Sequence, residues 1–352
     1  MTGNAPGISV VIPCWNSGGW VGRCLAEVFA ALPSDGEVIA VDDGSDDSTL
    51  EILKAAAATE PRLKVVARKH AGVSAARNAA LDVARGTLVF FVDPDDGVEP
   101  DFFSAMRGRM DETGADCCVC AMRISREDGS SGVWTLKGDY ESRTKDEVLA
   151  GYLPRIFGFS FDDIRSWYAG GHLFDRRELA SSCRMAFRRR IIEENSLRFD
   201  ERLELYEDAI FNSRYLAFAE SMTCIDRPLY CVNERSTGAM ATIPRDAARV
   251  CRNKLALIDA RIAIATAVGG ALMRCCEGSL ALGAMEMLAA SVRRLPRLDC
   301  FRMLMECLSR DEVRSALRRF PMSFRKPLVA VSALLLRLLA LKDLCRRGKA
   351  LG

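Results

Sequence analysis

Val41-Asp42-Asp43-Gly44-Ser45-Asp46-Asp47-Ser48-Thr49 follows directly on the apolar run Val38-Ile39-Ala40-Val41, and its reading decides how the first half of the chain folds. A second acidic cluster, Asp93-Pro94-Asp95-Asp96, follows Leu88-Val89-Phe90-Phe91-Val92 in the same manner. Carboxylates therefore stand at the ends of two buried strands, the edge of an open α/β sheet where ligands bind. Turn and N-cap chemistry is the alternative for either cluster alone, since Asp-Gly-Ser and Asp-Pro-Asp suit both. Two clusters at matching strand ends favour a metal-dependent site for a phosphorylated ligand, because crowded carboxylates need a cation, a donor or a proton to offset their repulsion.

Outward from this stretch, strand and helix patterns alternate. Strand patterns cover 8–12, 38–41, 63–67 and 88–92, and helix patterns cover 19–32, 48–58 and 74–84. That βαβαβαβ order predicts an α/β fold with a mostly parallel sheet flanked by helices. No G-x-G-x-x-G opens a helix and no Walker loop is present, so dinucleotide and P-loop readings are weak. Further on, 115–122 reads as strand and 126–140 as a polar hairpin or loop. Helices are expected over 145–157, 176–195 and 205–219, and a strand over 222–232. After Pro244 the pattern is helical to the end, which sets a domain boundary there.

The chain has 352 residues, 49% of them hydrophobic, enough for a large core, and a net charge of only +2 gives no sign of a nucleic-acid partner. Charge is concentrated at the C-terminus, where 314–349 holds ten Lys and Arg against the single acidic Asp343. The apolar run 327–341 is interrupted by Arg337 and is shorter than the roughly 20 residues a bilayer span needs. An interfacial helix on anionic lipid and a helix packed on the rest of the chain are its two readings. The 14 cysteines are scattered, many in apolar runs, and no secretory signal precedes them, so a reduced cytosolic compartment is expected. Cys117-Cys118-Val119-Cys120 lacks the second pair a zinc site requires.

Five motifs occur in an order that resembles the family-2 inverting glycosyltransferases of the GT-A type, especially those of bacterial capsule and other cell-surface polysaccharide assembly. They are Ile8-Ser9-Val10-Val11-Ile12-Pro13-Cys14-Trp15-Asn16, Asp42-Asp43-Gly44-Ser45, Gly72-Val73-Ser74-Ala75-Ala76-Arg77-Asn78, Asp93-Pro94-Asp95-Asp96 and Tyr206-Glu207-Asp208. The resemblance implies a catalytic domain over 7–240, with a nucleotide-sugar half at 7–125 and an acceptor half at 126–240, and a helical region with a basic amphipathic tail over 245–352. It also implies transfer of a hexosyl or N-acetylhexosaminyl group from a nucleotide sugar, of the UDP class, to a hydroxyl of a growing lipid-linked saccharide.

In that resemblance Pro13 and Trp15 close the first strand beside the donor. Trp15 either stacks on the base or is a half-buried core aromatic. Asp43 is the carboxylate expected to accept a hydrogen bond from the base, with Asp42 as its support. Asp93 and Asp95 match the D-x-D motif, whose hard oxygens suit Mn²⁺ or Mg²⁺ on the diphosphate. Asp95 is the direct metal ligand, Asp93 reaches ribose or metal, and Pro94 replaces the small residue common between them. Asp208 is the expected general base, with Glu207 its alternative or an orienting neighbour. Arg235 is a candidate diphosphate contact, surface solvation being equally open. Arg77 and Asn78 have helix packing and capping or donor contact as their readings, while Trp167 and His172 lie where relatives hold the acceptor.

Two other functions share parts of this pattern. A nucleotidyltransferase would carry a glycine-rich basic loop after its first strand, but 13–19 has no Lys or Arg. A non-catalytic scaffold would not need Asp93, Asp95 and Asp208 together. The expected location is cytoplasmic, peripheral on the inner membrane face.

Overall fold

The computed structural model describes residues 6–174, 177–234, 246–292, 298–322, 329 and 331–339. It forms two compact units, one of Met1–Tyr152 with Ala180–Gly238, the other of Leu153–Leu179 with Ala239–Gly352.

The first unit is built on a nine-stranded sheet, and its first half follows the alternating pattern. Strands β1 (Ile8–Cys14), β2 (Gly36–Asp42), β3 (Leu63–Ala67) and β4 (Leu88–Phe91) are parallel and joined by helices α1 (Val21–Ala31), α2 (Thr49–Ala57) and α3 (Val73–Leu81). Every residue of β1 is buried, as expected of a strand covered on both faces. The register pairs Cys14 with Asp42 and Val11 with Phe91, so the acidic clusters leave the sheet at the same edge.

Beyond β4 the sheet becomes mixed, combining antiparallel pairings with one further long parallel one. The remaining elements begin with β5 (Gly97–Val98), α4 (Phe102–Thr113), β6 (Cys117–Arg126), β7 (Ser131–Trp134) and α5 (Lys145–Ala150). Strand β8 (Met185–Arg188), helices α8 (Arg189–Glu194) and α9 (Glu207–Leu216), and β9 (Met222–Glu234) complete the unit. The strand order is β3-β2-β1-β4-β8-β6-β9-β5, with β7 pairing β6 as the expected hairpin. Strand β8 runs antiparallel to both β4 and β6.

That placement overturns the helix expected over 176–195. Met185-Ala186-Phe187 is wholly buried between two strands, and sheet pairing there overrides a helical pattern. Arg189–Glu194 keeps α-helical form, and Ser182–Arg184 makes a single 3₁₀ turn. Phe187, Phe91, Phe199 and Phe211 interlock behind it, with Phe199 and Phe211 stacked at 4.0 Å.

The second unit is helical. It holds α6 (Leu153–Phe157), α7 (Phe161–Tyr168), α10 (Ala247–Val268), α11 (Gly270–Val292), α12 (Leu298–Leu308) and α13 (Asp311–Arg319). The helix expected over 145–157 is divided at Gly151, where α5 ends, and its second part belongs to this unit. Main chain explains the grouping. The Phe159 amide donates to Ser279 Oγ at 2.6 Å, and the Ser279 amide returns a bond to Phe159 O at 3.1 Å. Gly278 permits the approach, since a Cβ there would lie 2.8 Å from both Phe159 O and Ser160 O. The C-terminal helices thus share their core with a segment the sequence reading placed in the acceptor half.

Candidate active site

At the end of β2 the chain turns through Asp43 and Gly44. Gly44 has φ +73°, and a Cβ there would lie 2.6 Å from the His70 amide, so only glycine fits. Asp43 is buried and its carboxylate is occupied by the loop before α3. It accepts from the Gly72 amide at 2.7 Å and the Ala71 amide at 3.0 Å, with His70 Nδ1 2.9 Å and Arg68 Nε 3.3 Å away. In this arrangement Asp43 fixes the β3–α3 loop. Beside it, Asp42 Oδ1 is buried with no hydrogen-bond partner among the described residues.

Pro13 is buried in β1 opposite Val41, and the chain then presents Trp15, 53% exposed. The Trp15 ring stacks on that of His70 with centroids 4.5 Å apart, making a flat aromatic surface beside Asp43. His70 was missed in the sequence, where only its proximity to the Gly72 motif could have drawn attention to it.

Arg77 and Asn78, adjacent on α3, divide their work. Asn78 stitches α3 to the following segment, donating to Phe199 O at 3.0 Å and accepting from the Phe199 amide at 2.8 Å. Arg77 is buried, and its guanidinium gathers carboxylates from two distant parts of the chain. Nη2 donates to Asp93 Oδ1 at 2.9 Å, while Nη1 donates to Asp208 Oδ1 at 2.8 Å and Glu207 Oε1 at 3.1 Å. Phe199 lies beneath it, 5.1 Å from ring centroid to Cζ. One fork-shaped cation thus joins the D-x-D edge to the carboxylates that open α9.

Asp208 also accepts from the Ser182 amide at 3.0 Å. Burial pushes its carboxyl above the ordinary range, with Arg77 opposing and Asp93 adding to the rise. Burial and the adjacent Asp208 push Glu207 up to about 7, again against Arg77. Two adjacent acids with raised proton affinity suit proton transfer.

At the D-x-D edge Asp96 is committed internally, accepting from Tyr230 Oη at 2.8 Å and the Asn233 amide at 2.8 Å. Burial first, then repulsion from Asp93 and Asp95, raises its carboxyl well above the usual range. The Asp95 carbonyl accepts from Arg23 at 3.0 Å and Asn233 at 2.8 Å, which fixes the turn. Among the described residues no three or more His, Cys, Asp and Glu side chains form a ready-made metal cage. The donor set nevertheless fits a small hard cation. Mg²⁺ is commonly bound by one or two carboxylates together with substrate phosphates, and mutual repulsion among these acids favours positive charge.

Arg235 is outside the described residues. Trp167 in α7 and His172 after it belong to the second unit. Cys117, Cys118 and Cys120 are buried in β6, and burial pushes the Cys120 thiol up to about 12, consistent with packing.

Residues 9–167 match the profile of Glycosyl transferase family 2. The chain carries a domain of the family 2 glycosyltransferases. Among similar proteins, the putative glycosyltransferase EpsH of Bacillus subtilis is 29% identical over 64% of this chain, which spans 60% of EpsH. The uncharacterized glycosyltransferase EpsJ of the same organism is 26% identical over 91% of this chain and 89% of its own length. The succinoglycan biosynthesis protein ExoO of Rhizobium meliloti is 30% identical over 73% of this chain and 66% of its own. The fold is similar to that of Staphylococcus aureus TarS 1-349, with a TM-score of 0.62, 18% identity, and coverage of 97% of this chain and 91% of TarS 1-349. That likeness shows the GT-A fold of this glycosyltransferase.

Proposed function

We propose that this family 2 glycosyltransferase moves a sugar from a UDP-sugar to a hydroxyl of a growing, lipid-linked cell-surface saccharide with inversion. The observation that carries this reading is the Arg77 clasp, because it joins the carboxylate suited to a diphosphate–metal edge to the pair suited to a general base. The exposed Trp15–His70 surface would stack the nucleobase, anchored through Asp43. Asp93 and Asp95 would hold Mg²⁺ or Mn²⁺, whose charge stabilises the departing diphosphate.

Asp208 takes the proton of the acceptor hydroxyl as its oxygen attacks the anomeric carbon. The bond from that carbon to the diphosphate oxygen breaks, and its electron pair leaves with the nucleotide. Arg77 does not contact substrate in this scheme; it positions Asp208 and Glu207 against Asp93.

Similarity to ExoO, named for succinoglycan biosynthesis, supports a polysaccharide acceptor, and TarS 1-349 in complex with UDP-GlcNAc makes that donor the first to try. Incubation with UDP-GlcNAc and related UDP-sugars should release UDP, and the product linkage should show an inverted anomeric coupling by NMR. Release of pyrophosphate would instead establish a nucleotidyltransferase, and failure to cleave any UDP- or GDP-sugar would overturn the enzymatic reading.

For location we propose the cytoplasmic face of an anionic membrane. No helix among the described residues is long and apolar enough to cross one. Residues 331–339 are helical, with Ala333 and Leu336 buried and Arg337 donating to Leu317 O and to Phe320 O at 3.0 Å. The opposite face exposes Val331, Leu334, Leu335 and Leu338, a helical stripe, with exposed Arg318 and Arg319 nearby in sequence. An apolar stripe in a basic segment suits an anionic bilayer interface.

A further inference from the structure

Helix α9 carries a second polar side chain on the face that bears Asp208. Asn212 lies one helical turn further on and is wholly buried, as are Phe211, Tyr215 and Leu216 beside it in sequence. A buried amide is costly unless its hydrogen bonds are made, and an apolar residue of the same size would suit this interior better. Asn212 spends both ends of its amide on one short segment before β8. Its Oδ1 accepts from Ser182 Oγ at 2.8 Å, and its Nδ2 donates to Ala180 O at 3.2 Å. The next residue, Ser213, instead satisfies its hydroxyl within α9, on Ala209 O at 2.6 Å. The segment that Asn212 grips is the one that meets Asp208. The Ser182 amide, at the start of the 3₁₀ turn, donates to Asp208 Oδ2 at 3.0 Å, while Arg77 holds Oδ1 at 2.8 Å. Ser181 Oγ caps that turn by accepting from the Cys183 amide at 3.2 Å, which leaves the Ser182 amide for Asp208. The torsion that turns a carboxylate has a broad minimum, so one anchor lets it rotate and two fix its plane.

We infer that Asn212 is the positioning residue of the base: by clasping Ser182 it holds the main-chain donor that sets the direction in which Asp208 meets the acceptor hydroxyl. One helix thus supplies the carboxylate and, a turn later, the clasp on the loop that aims it. Aim matters because a displacement of about 1 Å at a reacting group can cost about 100-fold in rate. The inference rests on the proposed role of Asp208 and adds what keeps that carboxylate in place.

The test uses Ser182→Ala, which removes the hydroxyl and keeps the main-chain amide, Asn212→Leu, which removes the polar clasp at similar volume, and the double variant. Each should bind UDP as the parent does in calorimetry and keep the donor KM, while kcat for transfer falls about tenfold. The double variant should lose no more than Asn212→Leu alone, because both substitutions break the same link. Asp208 also gives a readout that needs no turnover. An amide hydrogen bond favours the charged carboxylate. In protein labelled with ¹³C at its aspartate carboxyls, the signal lost in Asp208→Asn should therefore titrate about 0.5–1 pH unit higher in both single variants than in the parent. The charged and titratable neighbours of Asp208, namely Arg77, Glu207, Asp93 and Cys183, are the same in all of these proteins. An unchanged Asp208 midpoint, an unchanged kcat, or a loss of UDP affinity in step with kcat would each overturn the inference. Absence of UDP release by the parent would count against the transferase reading, and the carboxyl titration would still decide whether Asn212 sets Asp208.

Discussion

Replacing Arg77 with methionine keeps an unbranched side chain of similar reach and removes the cation from among Asp93, Glu207 and Asp208. At an effective dielectric of about 20, each charge pair near 4 Å is worth about 4 kcal/mol, so three acids cannot all remain ionised there without their partner. The least costly escape is protonation, at about 1.4 kcal/mol for each pH unit above the acid's ordinary pKa. For an aspartate that is about 5–6 kcal/mol near pH 8 but about 2 near pH 5.5. Breaking a buried pair from one side typically removes about 3–5 kcal/mol. We therefore expect Arg77→Met to lose about that much stability near pH 8, and about 3 kcal/mol less for each acid newly protonated near pH 5.5. The parent protein should show the same sign more weakly. Glu207 is pushed up to about 7 in the folded state, so its folded form binds the proton more tightly than the unfolded chain and stability falls as pH rises toward that value. Urea denaturation of both proteins at the two pH values is the assay. Equal losses at the two pH values would refute the electrostatic account and leave packing against Phe199 as the role of the residue.

Asp208→Asn should bind UDP almost normally while slowing transfer by roughly 100-fold or more, since an amide cannot take the acceptor's proton; near-normal turnover there with loss in Glu207→Gln would move the base to Glu207. Asp95→Ala should abolish the Mn²⁺-dependent part of UDP affinity in calorimetric titration, and unchanged metal dependence in a folded variant would remove Asp95 from the metal site. Leu334→Glu with Leu335→Glu should reduce sedimentation with anionic liposomes while leaving UDP binding intact, and the remaining attraction should weaken with salt over a Debye length of about 8 Å at physiological ionic strength; undiminished sedimentation would argue against the stripe as the membrane face.

What the sequence reveals here depends on how locally each feature is encoded. Strands β1 to β4 and their helices were legible because each is a short periodic run bounded by turn residues. The acidic clusters stood out for the same reason, since strand ends follow directly from strand positions. Strand β8 was hidden because Met185-Ala186-Phe187 is strand only by virtue of Phe90 and Cys118 on either side, residues far off in the chain. Arg77 was visible as part of a motif, but its function consists in meeting Asp208, 131 positions away. The internal commitment of Asp43 was likewise invisible, because its partners are main-chain amides of another loop. The grouping of 153–179 with the C-terminal helices rests on close main-chain approach, for which Gly158 and Gly278 are local signs.

The position of β8 also has a consequence for biosynthesis. A ribosome adding about 5–20 residues each second needs on the order of ten seconds between finishing β4 and finishing β8. Through that interval the nascent chain holds four completed strands whose outer edge, Leu88 to Phe91, has no neighbour to pair with. An unpaired apolar edge recruits other chains, so yield should respond to translation rate and to chaperones that shield hydrophobic segments. A fragment ending near residue 125 would carry that open edge permanently, so it should aggregate when expressed alone.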